Sequence, residues 1–111
     1  MASHIVVRGA HKTLTGTTVD TVTLKTGGFT GRETALMVAN DDTSNKLYFT
    51  YEVNGTAAAP TAGGDDTYYV PVSSQRFIPI DGGIPGTAHV QVKVIGNGGM
   101  YHVELQGILD D

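Results

Sequence analysis

A strand-like alternation in the middle of the chain constrains the fold more than any other feature. Between residues 46 and 53 every second residue is large and apolar, and the set is Leu47, Phe49, Tyr51 and Val53. A period of two gathers these side chains on one face of a β-strand, whereas an α-helix would scatter them around its surface. The segment therefore predicts a half-buried strand.

The same alternation returns twice near the C-terminus. One run has Ala88, Val90, Val92 and Val94 at alternate positions, and the other has Tyr101, Val103 and Leu105. Between the runs lies Gly-Asn-Gly-Gly at 96–99, and these residues tolerate the positive φ angles that tight turns require. The pattern predicts one antiparallel hairpin over residues 87–107.

The remaining segments favour more short strands rather than helices. Glycine, proline or β-branched residues interrupt every longer window before a helical period develops. The further candidate strands span residues 3–8, 11–14, 18–25, 33–40, 67–72 and 75–80. The whole pattern predicts an all-β fold, an antiparallel β-sandwich or a jelly-roll-like barrel of about eight short strands.

Two irregularities within the candidate strands carry local predictions. Val19 is out of phase with Val22 and Leu24, which predicts a bulge near residues 20–21. Pro71 and Pro79 cannot donate a backbone hydrogen bond, so their segments should lie at sheet edges or bulges.

Length and composition narrow the broad class. A chain of 111 residues is long enough for one core, so residues 1–111 are expected to form a single β-sandwich domain, with 1–18 a candidate N-terminal arm or attachment segment. The net charge is −4 and no basic patch is evident, which argues against nucleic acid as a partner. The longest apolar run, 35–39, is too short to span a bilayer, and no secretory signal is apparent. We expect a soluble protein without a membrane partner.

No arrangement of reactive side chains points to catalysis. The four histidines are scattered, and the predicted hairpin register would place His89 and His102 too far apart to share one ion. The aspartate pairs at 41–42 and 65–66 lack the spacing of a calcium loop and are better interpreted as turn residues, as is Asn-Gly at 54–55. The sequence predicts no catalytic residue, no cofactor site, no metal site and hence no enzyme.

One segment points to association. Residues 33–40 are apolar on both faces, with Leu36 and Val38 on one and Ala35, Met37 and Ala39 on the other. Either a second layer inside the domain or another subunit must cover the second face. The candidate interface residues are Met37, Ala35, Tyr68, Tyr69 and Phe77. The loop over residues 54–66 is the longest unpatterned segment and a further candidate for contacts.

A series of short motifs joins the candidate strands and turns. The motifs are Val-Ala-Asn-Asp-Asp at 38–42, Leu-Tyr-Phe at 47–49, Asn-Gly-Thr at 54–56, Pro-Thr at 60–61, Gly-Gly-Asp-Asp-Thr-Tyr-Tyr-Val-Pro at 63–71 and Arg-Phe at 76–77. Their order resembles a family of small β-sandwich virion proteins of tailed phages, and the resemblance extends over residues 20–105.

The resemblance implies a capsid decoration or cement protein. Such a protein is made in the host cytoplasm and lies on the capsid surface of the virion, where it binds the major capsid protein and its own copies, as a homotrimer. The family implies no catalytic residues to transfer. Two alternatives remain open: a tail, head-to-tail joining or fibre protein, and a carbohydrate-binding β-sandwich in which Tyr48, Tyr68 and Tyr69 stack on sugars.

Overall fold

The structure, a computed structural model, describes residues 3–13, 18–25, 34–61, 63–80 and 89–110. Within these ranges it contains eight strands and no helix. The strands are β1 (Ser3–Thr13), β2 (Asp20–Lys25), β3 (Thr34–Asn40), β4 (Leu47–Val53), β5 (Tyr68–Val70), β6 (Ser74–Ile80), β7 (His89–Gly96) and β8 (Met100–Asp110). The prediction of an all-β fold with about eight short strands is confirmed.

The strands form two four-stranded antiparallel sheets. Sheet I has the order β1-β8-β3-β6, and sheet II has the order β2-β7-β4-β5. Along the chain, the first strand pairs with the last, the second with the next to last, and so on inward, which gives the pairs β1/β8, β2/β7, β3/β6 and β4/β5. The chain thus resembles one long hairpin that has been rolled up, with alternate pairs in opposite sheets. This is the strand order of a jelly roll. The predicted antiparallel sandwich is confirmed, and its order is jelly-roll-like.

The core lies between the two sheets and follows from the period-two patterns. Val90, Val92 and Val94 of β7 are fully buried, as is Phe49 of β4. Sheet I supplies the facing layer, which comprises Leu36, Val38, Ile78, Ile80, Tyr101, Val103 and Leu105. Each fully buried side chain of this size stabilises the fold by roughly 1.5–3 kcal/mol relative to exposure.

The prediction of a hairpin over residues 87–107 is wrong. β7 pairs with β2 and β4 in sheet II, whereas β8 pairs with β1 and β3 in sheet I. The turn between them, with Gly98 at φ 82° and Gly99 at φ 101°, carries the chain from one sheet to the other. A turn signal shows that the chain reverses, but it does not show which strand each arm will pair with.

The prediction of two separate N-terminal strands, at residues 3–8 and 11–14, is also wrong. Ser3–Thr13 forms one strand whose register with β8 is unbroken. Gly9 reads as a strand end in the sequence, yet its backbone pairs opposite Glu104 because glycine can still make ladder hydrogen bonds. Residues 3–13 are therefore the edge strand of sheet I, while residues 1–2 and 14–17 lie outside the described residues.

The local predictions have different outcomes. The register of β2 with β7 is unbroken from Asp20 to Lys25, so the predicted bulge is wrong and Val19 simply precedes the strand. Pro79 lies in β6, an edge strand of sheet I, and Pro71 directly follows β5, an edge strand of sheet II. The edge positions of both prolines are confirmed.

Candidate functional site

Met37 lies on the outer face of sheet I, and its side chain is buried within one chain. It is 7% exposed, although it points away from the core side of β3 that Leu36 and Val38 occupy. The register places Phe77 of β6 on one side of Met37 and Glu104 of β8 on the other. A central strand flanked by long side chains on the same face accounts for this burial. β3 is a central strand of sheet I and lies between β8 and β6.

An exposed apolar patch continues from Met37 to the edge of sheet I. Phe77 is 50% exposed, and Ala35 is half-buried opposite the exposed Pro79. We call Ala35, Met37, Phe77 and Pro79 the Phe77 patch. Three of the five candidate interface residues therefore lie together on the outer face of sheet I.

A polar row on β8 borders the Phe77 patch. The Nε2 atom of His102 lies 2.5 Å from Oε1 of Glu104, and the side-chain amide of Gln106 donates to Oε2 of Glu104 at 2.9 Å. The bond from Gln106 lowers the pKa of Glu104, and the pair with His102 adds to this effect. Glu104 therefore presents a fixed negative charge beside the apolar patch.

The two candidate interface tyrosines of β5 lie elsewhere. Tyr68 stacks on the buried Phe49, with ring centroids 5.1 Å apart, and the guanidinium carbon of Arg76 lies 5.2 Å from the Tyr68 ring centroid. Tyr69 is 40% exposed and lies on the outer face of sheet II. The five candidates do not form one surface, because the two sheets present opposite sides of the molecule.

A second feature, a cavity on the outer face of sheet II, adjoins Tyr48. The register aligns Tyr69, Tyr48 and Ile95 in a row across β5, β4 and β7. The rings of Tyr48 and Tyr69 have centroids 5.4 Å apart at an interplanar angle of 37°. The cavity, of about 430 Å³, opens beside Tyr48 and is lined by Tyr48 and Ile95 together with Ser44, Asn45, Lys46 and Asn97. Tyr69 adjoins Tyr48 on the side away from Ile95 and does not line the cavity.

The wall of this cavity is held by hydrogen bonds of the loop between β3 and β4. Asn40, only 3% exposed, donates its amide to the carbonyl oxygens of Asn45 at 2.8 Å and Val70 at 3.3 Å. The Asp42 carboxylate accepts the N–H groups of Ser44 at 3.0 Å and Asn45 at 2.6 Å. The bond from Asn45, followed by that from Ser44, lowers the pKa of Asp42. The interpretation of Asp42 as a turn residue is confirmed.

The first part of the loop after β4, residues 54–58, crosses the outer face of sheet II, and we call it the strap. Ala57 is 2% exposed, and its N–H donates to the side-chain oxygen of Gln91 at 3.0 Å. The Thr50 hydroxyl donates to the carbonyl oxygen of Ala58. Asn54, at φ 55°, forms the predicted turn and donates its N–H to the His89 carbonyl at 2.6 Å. The contacts described for this loop are therefore made with its own sheet.

The histidines are divided between the sheets. His89 in sheet II contacts the Gly55 carbonyl oxygen at 3.1 Å, while His102 in sheet I pairs with Glu104. The backbone register also places His11 opposite His102, a juxtaposition that the incorrect hairpin concealed. Among the side chains that the structure describes, no three potential ligands lie close enough to hold a metal ion.

Comparisons with known proteins identify no family. The sequence matches no protein-family model, and no curated protein sequence matches it. In the described ranges, no helix has the length and apolar character needed to cross a bilayer.

Proposed function

We propose that this protein is a structural, non-enzymatic virion protein of a tailed phage that binds the capsid exterior and stabilises it as a decoration or cement protein. The observation that carries the proposal is the Phe77 patch, an exposed apolar surface on the outer face of sheet I. The family resemblance of residues 20–105 supplies the biological setting.

The patch has the composition of an interaction surface. An exposed phenylalanine beside further apolar side chains is typical of the centre of a protein interface, which is enriched in aromatic residues. His102, Glu104 and Gln106 supply the polar rim that surrounds such a centre. Burying the exposed half of the Phe77 side chain would contribute roughly 1 kcal/mol for each copy, about half of the value for fully burying such a side chain.

A small binding free energy per copy is sufficient for a protein that covers a capsid. Many copies bind one particle, so their individual contacts accumulate. In this proposal the Phe77 patch is buried between copies of the chain in a homotrimer, which in turn binds the major capsid protein. A closed ring covers such a patch without open-ended polymerisation.

The fold is compatible with this function. Jelly rolls occur in viral capsid domains and also in lectins, so strand order alone supports both a particle protein and a sugar-binding protein. The edge strand that carries the patch is protected against uncontrolled strand pairing, because Pro79 removes one backbone donor from β6.

The test uses Phe77→Asp, with Tyr69→Asp as the matched control on the opposite sheet. Phage heads that lack the protein are incubated with each purified variant, and the resistance of the heads to heat and chelator is measured along with the mass of the free protein. We expect wild type and Tyr69→Asp to be trimers that protect the heads. Phe77→Asp should be a folded monomer, by circular dichroism, that does not protect them.

Met37→Asp is less informative than Phe77→Asp, because Met37 is buried and a charge there should unfold the chain. Heads that resist equally with and without the wild-type protein, together with no density for it on the capsid exterior, would refute the decoration function. That result would favour a tail, head-to-tail joining or fibre protein.

A further inference from the structure

We propose that the cavity beside Tyr48 binds a neutral oligosaccharide, which stacks on Tyr48 and extends from the cavity over the neighbouring ring of Tyr69, so that the two rings form one stacking platform. This site lies on the outer face of sheet II, opposite the Phe77 patch on sheet I. It does not rest on the capsid function, and both surfaces can be occupied at once.

The platform is rigid and accessible. Tyr48 lies between Leu47 and Phe49, both of which are buried in the core, so its backbone is fixed by packing on the other face of β4. Tyr69 is held opposite it by the register of β5 and is 40% exposed. A tyrosine ring offers an apolar face to the C–H groups of a pyranose while its hydroxyl stays hydrated.

The wall supplies hydrogen-bonding groups in fixed positions. The backbones of Ser44 and Asn45 are held by the Asp42 carboxylate, and Asn45 is held also by the buried amide of Asn40. Hydroxyl and amide side chains both donate and accept, as the hydroxyl groups of a sugar require. Because these backbones are ordered before binding, little conformational entropy is lost when a ligand arrives.

The second wall comes from the turn between β7 and β8. Gly99 takes the chain close to Asp42, where an added Cβ atom would lie 3.0 Å from the Asp42 Cβ. This close approach brings Asn97 to the cavity that Ser44 and Asn45 also line. The resulting space of about 430 Å³ falls within the size range of small-molecule sites.

The charges favour a neutral ligand. Among the described residues that line the cavity, Lys46 is the only cationic side chain, and the Asp42 carboxylate lies directly behind the wall. An acidic sugar or a phosphate would meet one exposed ammonium group in a chain of net charge −4. A cationic ligand would be repelled by the same lysine. Aromatic stacking with neutral hydrogen bonding is the chemistry that remains.

The test is a titration of the isotope-labelled full chain with maltohexaose, cellohexaose and chitotetraose, followed by amide chemical shifts. At least one sugar is expected to bind with a dissociation constant of about 1 mM or lower. The shifts should centre on residues 44–48, 69 and 95–97. Tyr69→Ala should weaken binding roughly tenfold through the loss of one ring face.

Phe77→Ala is the matched control, because it removes an exposed aromatic ring from the other sheet. It should leave sugar binding unchanged, while Tyr69→Ala should leave assembly on heads unchanged. Failure of this proposal is therefore distinguishable from failure of the capsid function.

Three results would overturn the sugar site. The first is the absence of shifts with all three sugars at their highest soluble concentrations. The second is a set of shifts centred outside the cavity, or equal weakening by Phe77→Ala. The third is tighter binding of oligogalacturonate than of any neutral sugar, which would contradict the neutral ligand class.

Discussion

At the scale of single residues, the Asn40-Asp41-Asp42 segment organises one end of the sandwich. The sequence indicated a turn there, because aspartate and asparagine bond to nearby backbone groups. It did not indicate that Asn40 would be buried with its amide bonded to Val70, which is 30 residues away. Such a role depends on the arrival of β5, which no local pattern encodes.

Acid should weaken this loop through Asp42. Hydrogen bonds from Asn45 and Ser44 lower the pKa of Asp42 below its ordinary value of 3.8, so the folded state favours the charged carboxylate. Its stabilising contribution is complete above pH 3.8 and is lost as the pH falls through the lowered pKa. The amide shifts of Ser44 and Asn45, followed during acidification, should titrate with a midpoint below 3.8.

Asp42→Asn provides the control for that titration. Its side chain keeps one acceptor oxygen but cannot change charge, so the same amides should show no comparable midpoint. A wild-type midpoint at or above 3.8 would contradict the prediction.

At the scale of elements, the sequence predicts strands better than it predicts their partners. The segments 46–53, 33–40 and 75–80 closely match β4, β3 and β6, because alternation reports which faces are buried. The prediction that β7 and β8 pair was wrong because it was inferred from their proximity in sequence, whereas the jelly-roll order places them in opposite sheets. The cavity beside Tyr48 could not be predicted from the sequence either, because its walls come from two loops that meet only after the sheets have formed.

The strap over sheet II gives an element-scale prediction. Gln91→Ala removes the acceptor for the buried Ala57 N–H, which should lower the free energy of unfolding by about 1–3 kcal/mol. Urea unfolding measures this loss, and amide exchange at Ala57 should accelerate. Lys93→Ala, on the same outer face of β7, serves as the control and should change stability by less than about 0.5 kcal/mol. Equal losses in both variants, or an Ala57 amide that stays protected in Gln91→Ala, would contradict the role of the strap.

At the scale of the whole molecule, two side chains connect the sheets in different ways. Arg76 of β6 covers the ring of Tyr68 at the side where the edges of the two sheets meet. Tyr101 of β8 is fully buried in the core, and its hydroxyl donates to Asp20 of β2 at 3.4 Å. The hydrogen bond of Tyr101 joins sheet I to sheet II through the core, so its loss should lower the stability of the whole domain.

Tyr101→Phe should therefore reveal an alkaline limit to stability. At neutral pH the variant loses one hydrogen bond, and its free energy of unfolding should fall by about 1 kcal/mol. Burial, followed by the nearby Asp20 carboxylate, raises the pKa of Tyr101 above its ordinary value of 10.0. The folded state thus favours the protonated phenol, whose contribution is complete below pH 10.0 and is lost as the pH rises toward the raised pKa.

Phenylalanine does not titrate, so the stability difference between wild type and Tyr101→Phe should shrink between neutral pH and about pH 11. Urea unfolding at both pH values measures it, with Tyr69→Phe as the exposed control that should follow wild type. The variant will still lose some stability in alkali, because burial also raises the pKa of Tyr51. A difference of the same size at both pH values would show that the Tyr101 hydroxyl is not the group that limits the fold in alkali.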